Sequence, residues 1–250
     1  MTVLPGLQLC LDDGQDDPAV DTALSRAILQ RVDAGELPAT LRLSRPRRVV
    51  ALSRQDARSD GFEAAVEGAR SVGFAPILRL AGGRAAVFTP GTIAFAWAVP
   101  AEVPVDGTVE RFRTMATALA TAISGFGVDV RIGEVPGEYC AGRWSVNVAG
   151  RRKVAGIGQR LLRRAAHTGG VVVVSDAAAV NLALTPVYAA MDVTWDPGVT
   201  GAVDQSSTVS WDDVRTAIAE AFGRSHDLVA WQPDQATLDL ARSIADQHRL

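Results

Sequence analysis

Lysine is almost absent from this 250-residue chain: of its 25 basic residues, 24 are arginine and one, Lys153, is lysine. Arginine can supply ordinary surface charge, but it cannot replace a compact ammonium on a flexible stem whose charge responds readily to burial. The lone lysine is therefore a candidate for a specific chemical role. The alternative interpretation is a chance residue on the surface, and side-chain chemistry alone does not exclude it.

Cysteine, excess positive charge and long apolar runs are scarce as well. Two cysteines, Cys10 and Cys140, make a poor disulfide framework for a chain of this length and favour the cytoplasm as its compartment. A formal net charge of -3 argues against bulk nucleic-acid binding. No run of about 18 apolar residues occurs, and Met1–Asp13 lacks a basic segment before an apolar one, so we expect neither a membrane span nor a signal peptide.

Hydrophobic periodicity predicts helices scattered among hairpins rather than a regular alternation of strand and helix, which favours an α+β fold with a mixed β-sheet flanked by helices. The predicted helices are 18–32, 61–72, 109–125, 211–222 and 234–247, and the predicted strands are 41–44, 49–52, 76–80, 85–88, 92–99, 128–132, 144–148, 153–157 and 170–174. We interpret residues 1–250 as a single domain, with residues from about 196 onward as a potential small C-terminal subdomain.

A pair of glycines, Gly82 and Gly83, follows one of the predicted strands. Glycine allows a backbone to approach a ligand closely and to adopt a positive φ. The flanking Arg79 and Arg84 could bind a phosphate or a carboxylate. A hairpin turn with solvated arginines is the more common context for a glycine pair, so this motif alone is weak evidence for a site.

Cys140 lies in a glycine-containing segment, 137–145, near arginines that would favour its thiolate. A thiolate is a competent acyl acceptor. An inert buried cysteine is the alternative and the more common fate of a free thiol. His167 is the one histidine with a plausible position for a general base, since His226 and His248 belong to C-terminal segments.

Lys153 begins a predicted strand directly after a turn and is followed by small residues, in the segment 150–160. A lysine there could point into a pocket and stabilise negative charge on a carbonyl or phosphate oxygen. An exposed charge after a turn is the alternative. The chain has no Cys-x-x-Cys, His-Glu-x-x-His or Walker A motif, so we predict no metal site and no P-loop.

Taken in order, these segments resemble the lipoate–protein ligase A and octanoyltransferase families of the biotin/lipoate protein ligase superfamily. Residues 79–87 are similar to the family's Arg-x-x-Gly-Gly-(Gly/Arg)-Ala-Val segment, which lines the acyl tunnel. Residues 151–159 are similar to the signature Gly-(x)-Arg-Lys-Val-(Ala/Ser)-Gly-Ser-Ala-Gln, whose lysine contacts the acyl carbonyl or the adenylate. Residues 167–171 resemble the following His-(His)-Gly-(Ser/Thr)-Leu stretch, and residues 41–46 resemble a strand bearing Trp-Arg-x-Pro.

Two features resemble the octanoyltransferases of the cysteine type. Gly-Gly-Arg-Ala stands in place of the triple glycine that is more usual in ligases. Cys140 precedes Lys153 by 13 positions (153 − 140), close to where these transferases carry their acyl-thioester nucleophile. One departure is that Phe88-Thr89 replaces the His-Asp that is common in the family. This difference would also fit a family member that has lost or changed its activity.

The resemblance implies the mixed sheet that lipoate ligases share with biotin–protein ligases. It also implies a transferase that moves an octanoyl or lipoyl group through a cysteine thioester to a lysine of a lipoyl domain, with no cofactor. An ATP-dependent lipoate–protein ligase is the first alternative; it would need ATP and Mg²⁺ but no cysteine. A non-catalytic acyl or cofactor-binding protein on the same scaffold is the second.

The implied acceptor is a lipoyl domain or a glycine-cleavage H-like protein, and acyl carrier protein is the expected donor; neither nucleic acid nor membrane is expected as a partner. Lys153 and Cys140 are the implied catalytic residues. The implied substrate-binding residues are Arg79, Gly82, Gly83, Arg84, Ala85, Gly156, Gln159 and His167.

Overall fold

The computed structural model describes residues 4–250, which form two β-sheets and six α-helices. The strands are β1 (Leu4–Asp12), β2 (Thr40–Ser44), β3 (Val49–Leu52), β4 (Ala75–Leu78), β5 (Ala86–Phe88), β6 (Thr92–Pro100), β7 (Val130–Ile132), β8 (Val146–Val148), β9 (Arg152–Leu161), β10 (Ala165–Val173) and β11 (His226–Ala230). The helices are α1 (Pro18–Asp33), α2 (Phe62–Ser71), α3 (Thr108–Ser124), α4 (Ala177–Ala190), α5 (Trp211–Gly223) and α6 (Gln235–Ile244).

The larger sheet is mixed and has the strand order β11-β1-β2-β6-β10-β9-β8-β7. Strand β1 pairs in parallel with both β11 and β2, and the other pairs are antiparallel. Helices α3 and α5 pack on one face, and α1 and α6 pack together on the other. The predicted mixed sheet flanked by helices is therefore confirmed.

The smaller sheet has the order β4-β3-β5 and packs with α2 and α4 around a second core. It faces the α1 side of the larger sheet, and an open pocket lies between them. Alternation along β6 explains why this side can hold a pocket. Trp97 points into the core under α3 and α5, whereas the small Ala94 and Ala96 line the pocket.

The residues after position 196 contribute to the same architecture. Helix α5 packs against α3, β11 pairs with β1 at the edge of the larger sheet, and α6 packs against α1. Among residues 4–250 there is no helix whose length and apolar character would let it span a bilayer.

The predicted helices and strands are confirmed to within a few residues, but three elements were missed. Helix α4 is almost uniformly apolar, with Asn181 and Thr185 as the polar residues of its outer side, and it contains Pro186, so its amphipathic period is too weak to identify a helix. Strand β1 contains Pro5 and Gly6, which disfavour a strand assignment. Strand β11 is short and mostly exposed at the sheet edge. Strand β10 also begins at Ala165, five residues earlier than predicted.

Close contact between β9 and β10 depends on a glycine. A Cβ atom at Gly170 would lie 1.9 Å from the carbonyl oxygen of Gly156. We therefore expect Gly170→Ala to destabilise the protein by about 3 kcal/mol or more in urea unfolding, since backbone must move to admit the methyl group. Gly6→Ala is the matched strand control, because its nearest contact would be an ordinary 3.5 Å. Equal stability of the two variants would contradict this packing.

Candidate active site

Lys153 is completely buried near the start of β9, so it is not a surface residue. Its ammonium nitrogen lies 3.0 Å from Glu138 Oε1, 2.9 Å from the Tyr139 carbonyl oxygen and 2.9 Å from the Cys140 carbonyl oxygen. A lysine ammonium has three hydrogen-bond donors. All three are therefore occupied by the segment that carries Cys140.

A β-bulge determines the direction of the Lys153 side chain. Ala155 pairs with Val146, and Lys153 pairs with Asn147, so one extra residue lies in β9 between them. A bulge interrupts the alternation of side chains between the two faces of a sheet. The stem of Lys153 accordingly lies beside Gly156, where an added Cβ would be 3.2 Å from its Cε.

Glu138 is the centre of the loop that precedes β8. Its carboxylate accepts hydrogen bonds from the backbone N–H groups of Val135 and Gly142 at 3.0 Å each and from the Ser145 hydroxyl at 2.5 Å, in addition to Lys153. Its side chain is fully buried, as is that of Lys153. The charge of the carboxylate is thus compensated by an ion pair and by donors from both ends of the loop.

Cys140 adopts a left-handed backbone conformation, with φ of 43°. Its N–H donates to the Tyr188 hydroxyl at 3.0 Å, and that hydroxyl donates in turn to the Ala85 carbonyl at 2.9 Å. Its own carbonyl accepts from Lys153. Both the N–H and the carbonyl of Cys140 are therefore hydrogen-bonded. These bonds stabilise a left-handed conformation that is unfavourable by on the order of 1–3 kcal/mol for a residue other than glycine.

The sulfur of Cys140 lies against the predicted glycine segment. It accepts from the Arg84 backbone N–H at 3.3 Å and lies 3.8 Å from Nη1 of Arg79. Gly83 makes this approach possible, since a Cβ there would lie 2.9 Å from the sulfur and its φ is +103°. A backbone N–H and a guanidinium are groups that stabilise a thiolate.

Arg79 connects the cysteine to the pocket between the two sheets. Its Nη1 donates to the Arg84 carbonyl at 2.7 Å and approaches the Cys140 sulfur, while the residue also lines the pocket. Gly158 leaves room for it, because a Cβ there would lie 3.0 Å from Nη2 of Arg79. The pocket has about 780 Å³ of empty space, including its open mouth, and apolar walls from Val49, Ala51, Ile77, Phe88 and Phe95.

The polar wall of the pocket contains a buried ion-pair network. Arg42 lies 2.7 Å from Asp12 and 2.5 Å from Asp21, and its side chain is 2% exposed. Burial alone would raise the pKa of Asp12, but the charge and hydrogen bonds of Arg42, with the hydrogen bond from the Gly14 N–H, together outweigh burial and lower this pKa. The network lies at the base of α1 and fixes β1, β2 and α1 around this end of the pocket.

His167 lies inside β10 rather than before it, and its ring lines the pocket. Burial, and then the positive charge of Arg79, lower the pKa of His167 to about 4. Its imidazole is therefore neutral at pH 7. Its Nδ1 is buried and has no hydrogen-bond partner in the part of the chain that the structure describes.

The predicted site residues fall into three groups. Arg79, Gly83 and Arg84 lie against the Cys140 sulfur. Ala85 is linked to Cys140 through the Tyr188 hydroxyl, and Gly156 lies beside the Lys153 stem. Gly82 has open space around its Cα, and His167 lies in the pocket. Gln159 does not join the cluster: it lies on the α3 side, where it accepts from Arg111 and donates to the Thr108 carbonyl.

Two residues of the site were not identified from the sequence. Glu138 was not assigned a role from the sequence. Its position two residues before Cys140, in a chain with one lysine, nevertheless suggests an ion pair with Lys153. Tyr188 belongs to the missed helix α4, so its contact with Cys140 had no signal in the sequence. Among residues 4–250, no group of three or more His, Cys, Asp or Glu side chains is arranged to hold a metal ion.

Comparison with known proteins identifies similar sequences and folds. The profile of the family described as "Lipoyl protein ligase A/B catalytic domain" matches residues 17–223. An octanoyl-[GcvH]:protein N-octanoyltransferase of Geobacillus kaustophilus is 29% identical over 163 residues, which are 65% of this chain and 54% of the relative. One of the same name from Exiguobacterium sibiricum is 32% identical over 125 residues, which are 50% of this chain and 43% of the relative. The chain thus matches about half the length of these relatives.

Solved structures with the same fold are more distant in sequence. A lipoate-protein ligase A bound with ATP has a TM-score of 0.78 and 20% identity, over 98% of this chain and 95% of that one. A bi-partite lipoate protein ligase from Thermoplasma acidophilum, studied with its E2 lipoyl domain, has a TM-score of 0.74 and 20% identity, over 98% of this chain and 93% of that one. At this identity the likeness shows the fold.

The two glycines of the pair have different surroundings and provide a matched comparison. We expect Gly83→Ala to slow alkylation of Cys140 by iodoacetamide about tenfold or more, because the added methyl would contact the sulfur and the positive φ would cost on the order of 1–3 kcal/mol. Gly82→Ala, which meets no atom within 4 Å, should react like the wild type. Indistinguishable alkylation rates in the two variants would rule out a role for Gly83 in positioning the Cys140 thiol.

The Lys153–Glu138 pair can be tested with a double-mutant cycle in urea unfolding. Lys153→Met and Glu138→Gln should each cost about 3–5 kcal/mol, since each leaves a buried partner without compensation. The double variant should cost clearly less than the sum of the single changes. A Lys153→Met variant that loses less than about 1 kcal/mol would instead mean that the lysine is not held in this way.

Proposed function

The chain belongs to the family of lipoyl protein ligase A/B catalytic domains, and from that premise we propose that it is an acyltransferase of protein lipoylation. It moves an octanoyl group to a lysine of a lipoyl domain through a thioester on Cys140. A lipoyl group is the alternative cargo. The proposal rests on the surroundings and the backbone conformation of Cys140.

Three features of Cys140 fit a nucleophile better than an inert thiol. It is partly exposed, its sulfur faces the Arg84 N–H and the Arg79 guanidinium, and its backbone is fixed in a left-handed conformation. Cys10 shows the contrast. It is fully buried, and burial, followed by the negative charge of Asp12, raises the pKa of Cys10 to about 12.

The proposed reaction has two acyl transfers. In the first, the Cys140 sulfur attacks the octanoyl carbonyl carbon, a carbon–sulfur bond to Cys140 forms, and the donor's leaving atom departs with the thiol proton. In the second, the acceptor lysine amine attacks the same carbon, an amide forms, and Cys140 leaves as a thiol carrying the amine proton. No oxidant, reductant or nucleotide is consumed.

Lys153 supports this chemistry chiefly as a positioning residue. Because its three donors bind Glu138 and the carbonyls of Tyr139 and Cys140, it holds the nucleophile's loop. It could polarise an acyl carbonyl, the role implied by the resemblance, if it exchanged one of these acceptors for the substrate. The pocket beside Arg79 is the proposed acyl site, with apolar walls suited to an eight-carbon chain and a neutral His167.

The name of the relatives provides the proposed partners. It describes an octanoyl group on GcvH and an N-octanoyl transfer to a protein. We therefore place an octanoylated H-like protein first among the donors, acyl carrier protein second, and a lipoyl-domain lysine as acceptor. The thioester requires a reduced thiol, so the cytoplasm is the proposed compartment.

Lipoate ligation is the second candidate, because the fold is that of a lipoate-protein ligase A bound with ATP. A ligase would use ATP and Mg²⁺ and would form an adenylate, with no role for Cys140. A non-catalytic acyl-binding protein would use the pocket alone. The transferase, the ligase and the binding protein differ in the group that becomes attached to the protein and in the substrates that the reaction requires.

Intact-mass spectrometry separates them. The protein is incubated in parallel with octanoyl-H protein, with octanoyl carrier protein, and with lipoate, ATP and Mg²⁺, and each reaction is then offered a lipoyl domain. We expect an octanoyl adduct that hydroxylamine removes, and transfer from at least one octanoyl donor without ATP. Cys140→Ser should form no thioester, whereas Cys10→Ser, the matched control, should behave like the wild type.

Full activity of Cys140→Ala together with dependence on ATP would establish the ligase and exclude the thioester. Retention of acyl groups without transfer from any donor would instead support the binding protein.

A further inference from the structure

A second pocket lies next to the acyl pocket and has no assigned role in the proposed transfer. It forms where α1, the end of β4, the end of β9 and the C-terminal segment converge, and it has about 430 Å³ of empty space. Arg26, Arg54 and Arg160 line it. Arg26 of α1, Arg54 of the turn after β3 and Arg160 of β9 therefore line one cavity.

These three arginines have no carboxylate partner among residues 4–250. None of them forms a salt bridge within 4.0 Å or donates a side-chain hydrogen bond there, although many other arginines of the chain do. Instead they affect one another. Burial, and then the positive charges of Arg160 and Arg54, lower the pKa of Arg26. Uncompensated positive charge thus accumulates in this pocket.

A histidine completes the lining. His248 is 2% exposed, and its Nδ1 lies 2.7 Å from the carbonyl oxygen of Leu78, to which it donates. Its Nε2 is buried and has no partner in the described part of the chain. Burial lowers the pKa of His248, as do the charges of Arg26 and Arg54, against the opposing effect of the bond to Leu78. A buried ring nitrogen without a partner, next to unpaired guanidinium groups, is an unsatisfied position that an anion could complete.

We propose that this pocket binds a phosphate group, held by the guanidinium groups of Arg26, Arg54 and Arg160 and by the His248 imidazole. The forked donors of arginine match phosphate oxygens in pairs. A phosphate monoester carries up to two negative charges and several acceptor oxygens, so it compensates three guanidinium groups better than a single carboxylate does. A bound anion would also favour a protonated His248, whose Nε2 would then donate to it.

The place of the pocket relates it to the acyl site. Arg79 and Leu80 line both pockets, and Arg79 also reaches the Cys140 sulfur. A phosphate in this pocket would therefore be connected to the Cys140 sulfur through the Arg79 side chain. It could be free phosphate or the phosphate of a pantetheine arm that carries an acyl group. The site itself does not depend on the transfer reaction, so its failure would leave the proposed function untouched.

Isothermal titration calorimetry of the full chain with inorganic phosphate, at constant ionic strength and pH 7, tests the site. We expect saturable binding of one phosphate, weakened about tenfold in Arg54→Gln by loss of a charge-assisted hydrogen bond and lost in the Arg26→Gln/Arg54→Gln variant. Arg54 is exposed, so its replacement should leave the fold intact. Arg163→Gln is the control: it removes the same charge from an exposed arginine outside the pocket and should bind like the wild type.

Competition with 4′-phosphopantetheine distinguishes the two sources of the phosphate. Tighter binding of phosphopantetheine than of inorganic phosphate would indicate the pantetheine arm, equal binding would indicate free phosphate, and both results support the site. No saturable binding by the wild type would overturn the proposal. So would equal weakening in Arg163→Gln, or acetate binding as tightly as phosphate, since these would indicate general charge attraction or a carboxylate site.

Discussion

The buried ion pair between Lys153 and Glu138 is the interaction on which the candidate active site depends. Removing two charges from water is unfavourable unless the partners lie close together and other donors and acceptors are satisfied. Here Glu138 also binds two backbone N–H groups and a hydroxyl, and Lys153 also binds two carbonyl groups. The pair therefore determines the path of the loop that carries Cys140, and an arginine would be too large and planar for the same position.

Cys140 is held by parts of the chain that are far apart in sequence. The β8–β9 hairpin provides Lys153, the segment after β4 provides Gly83 and the Arg84 N–H, and α4 provides Tyr188. The Tyr188 hydroxyl connects the Cys140 loop to the segment after β4, because it accepts from the Cys140 N–H and donates to the Ala85 carbonyl. Burial raises the pKa of Tyr188 well above its ordinary value, so the phenol remains a neutral bridge.

Most elements of the fold could be predicted from the sequence because their apolar residues follow a helical or strand period. The segments around Arg79, Cys140 and Lys153 could also be assigned to one site, since they resemble family motifs. The direction of individual side chains could not. Lys153 and Gln159 stand six positions apart, which in a regular strand places them on one face. The bulge in β9 separates them, and a single extra residue leaves no pattern in the sequence.

Tyr188 was missed for a different reason: α4 has too few polar residues on its outer side for its helical period to be recognised. The role of the arginines that line the second pocket could not be predicted either, because in the sequence they resemble any of the other solvated arginines of this chain. What these cases share is that contacts between distant elements, rather than local patterns, determine the role of a residue.

Passage of the acyl group through Cys140 is tested most directly by the kinetic competence of the isolated thioester. Octanoyl-protein is purified away from its donor, mixed rapidly with a lipoyl domain, and the loss of the adduct is followed by quenched-flow mass spectrometry. We expect octanoyl-Cys140 to disappear at least as fast as steady-state turnover, with equal appearance of octanoyl-lysine. An adduct that persists while the complete reaction proceeds would contradict it.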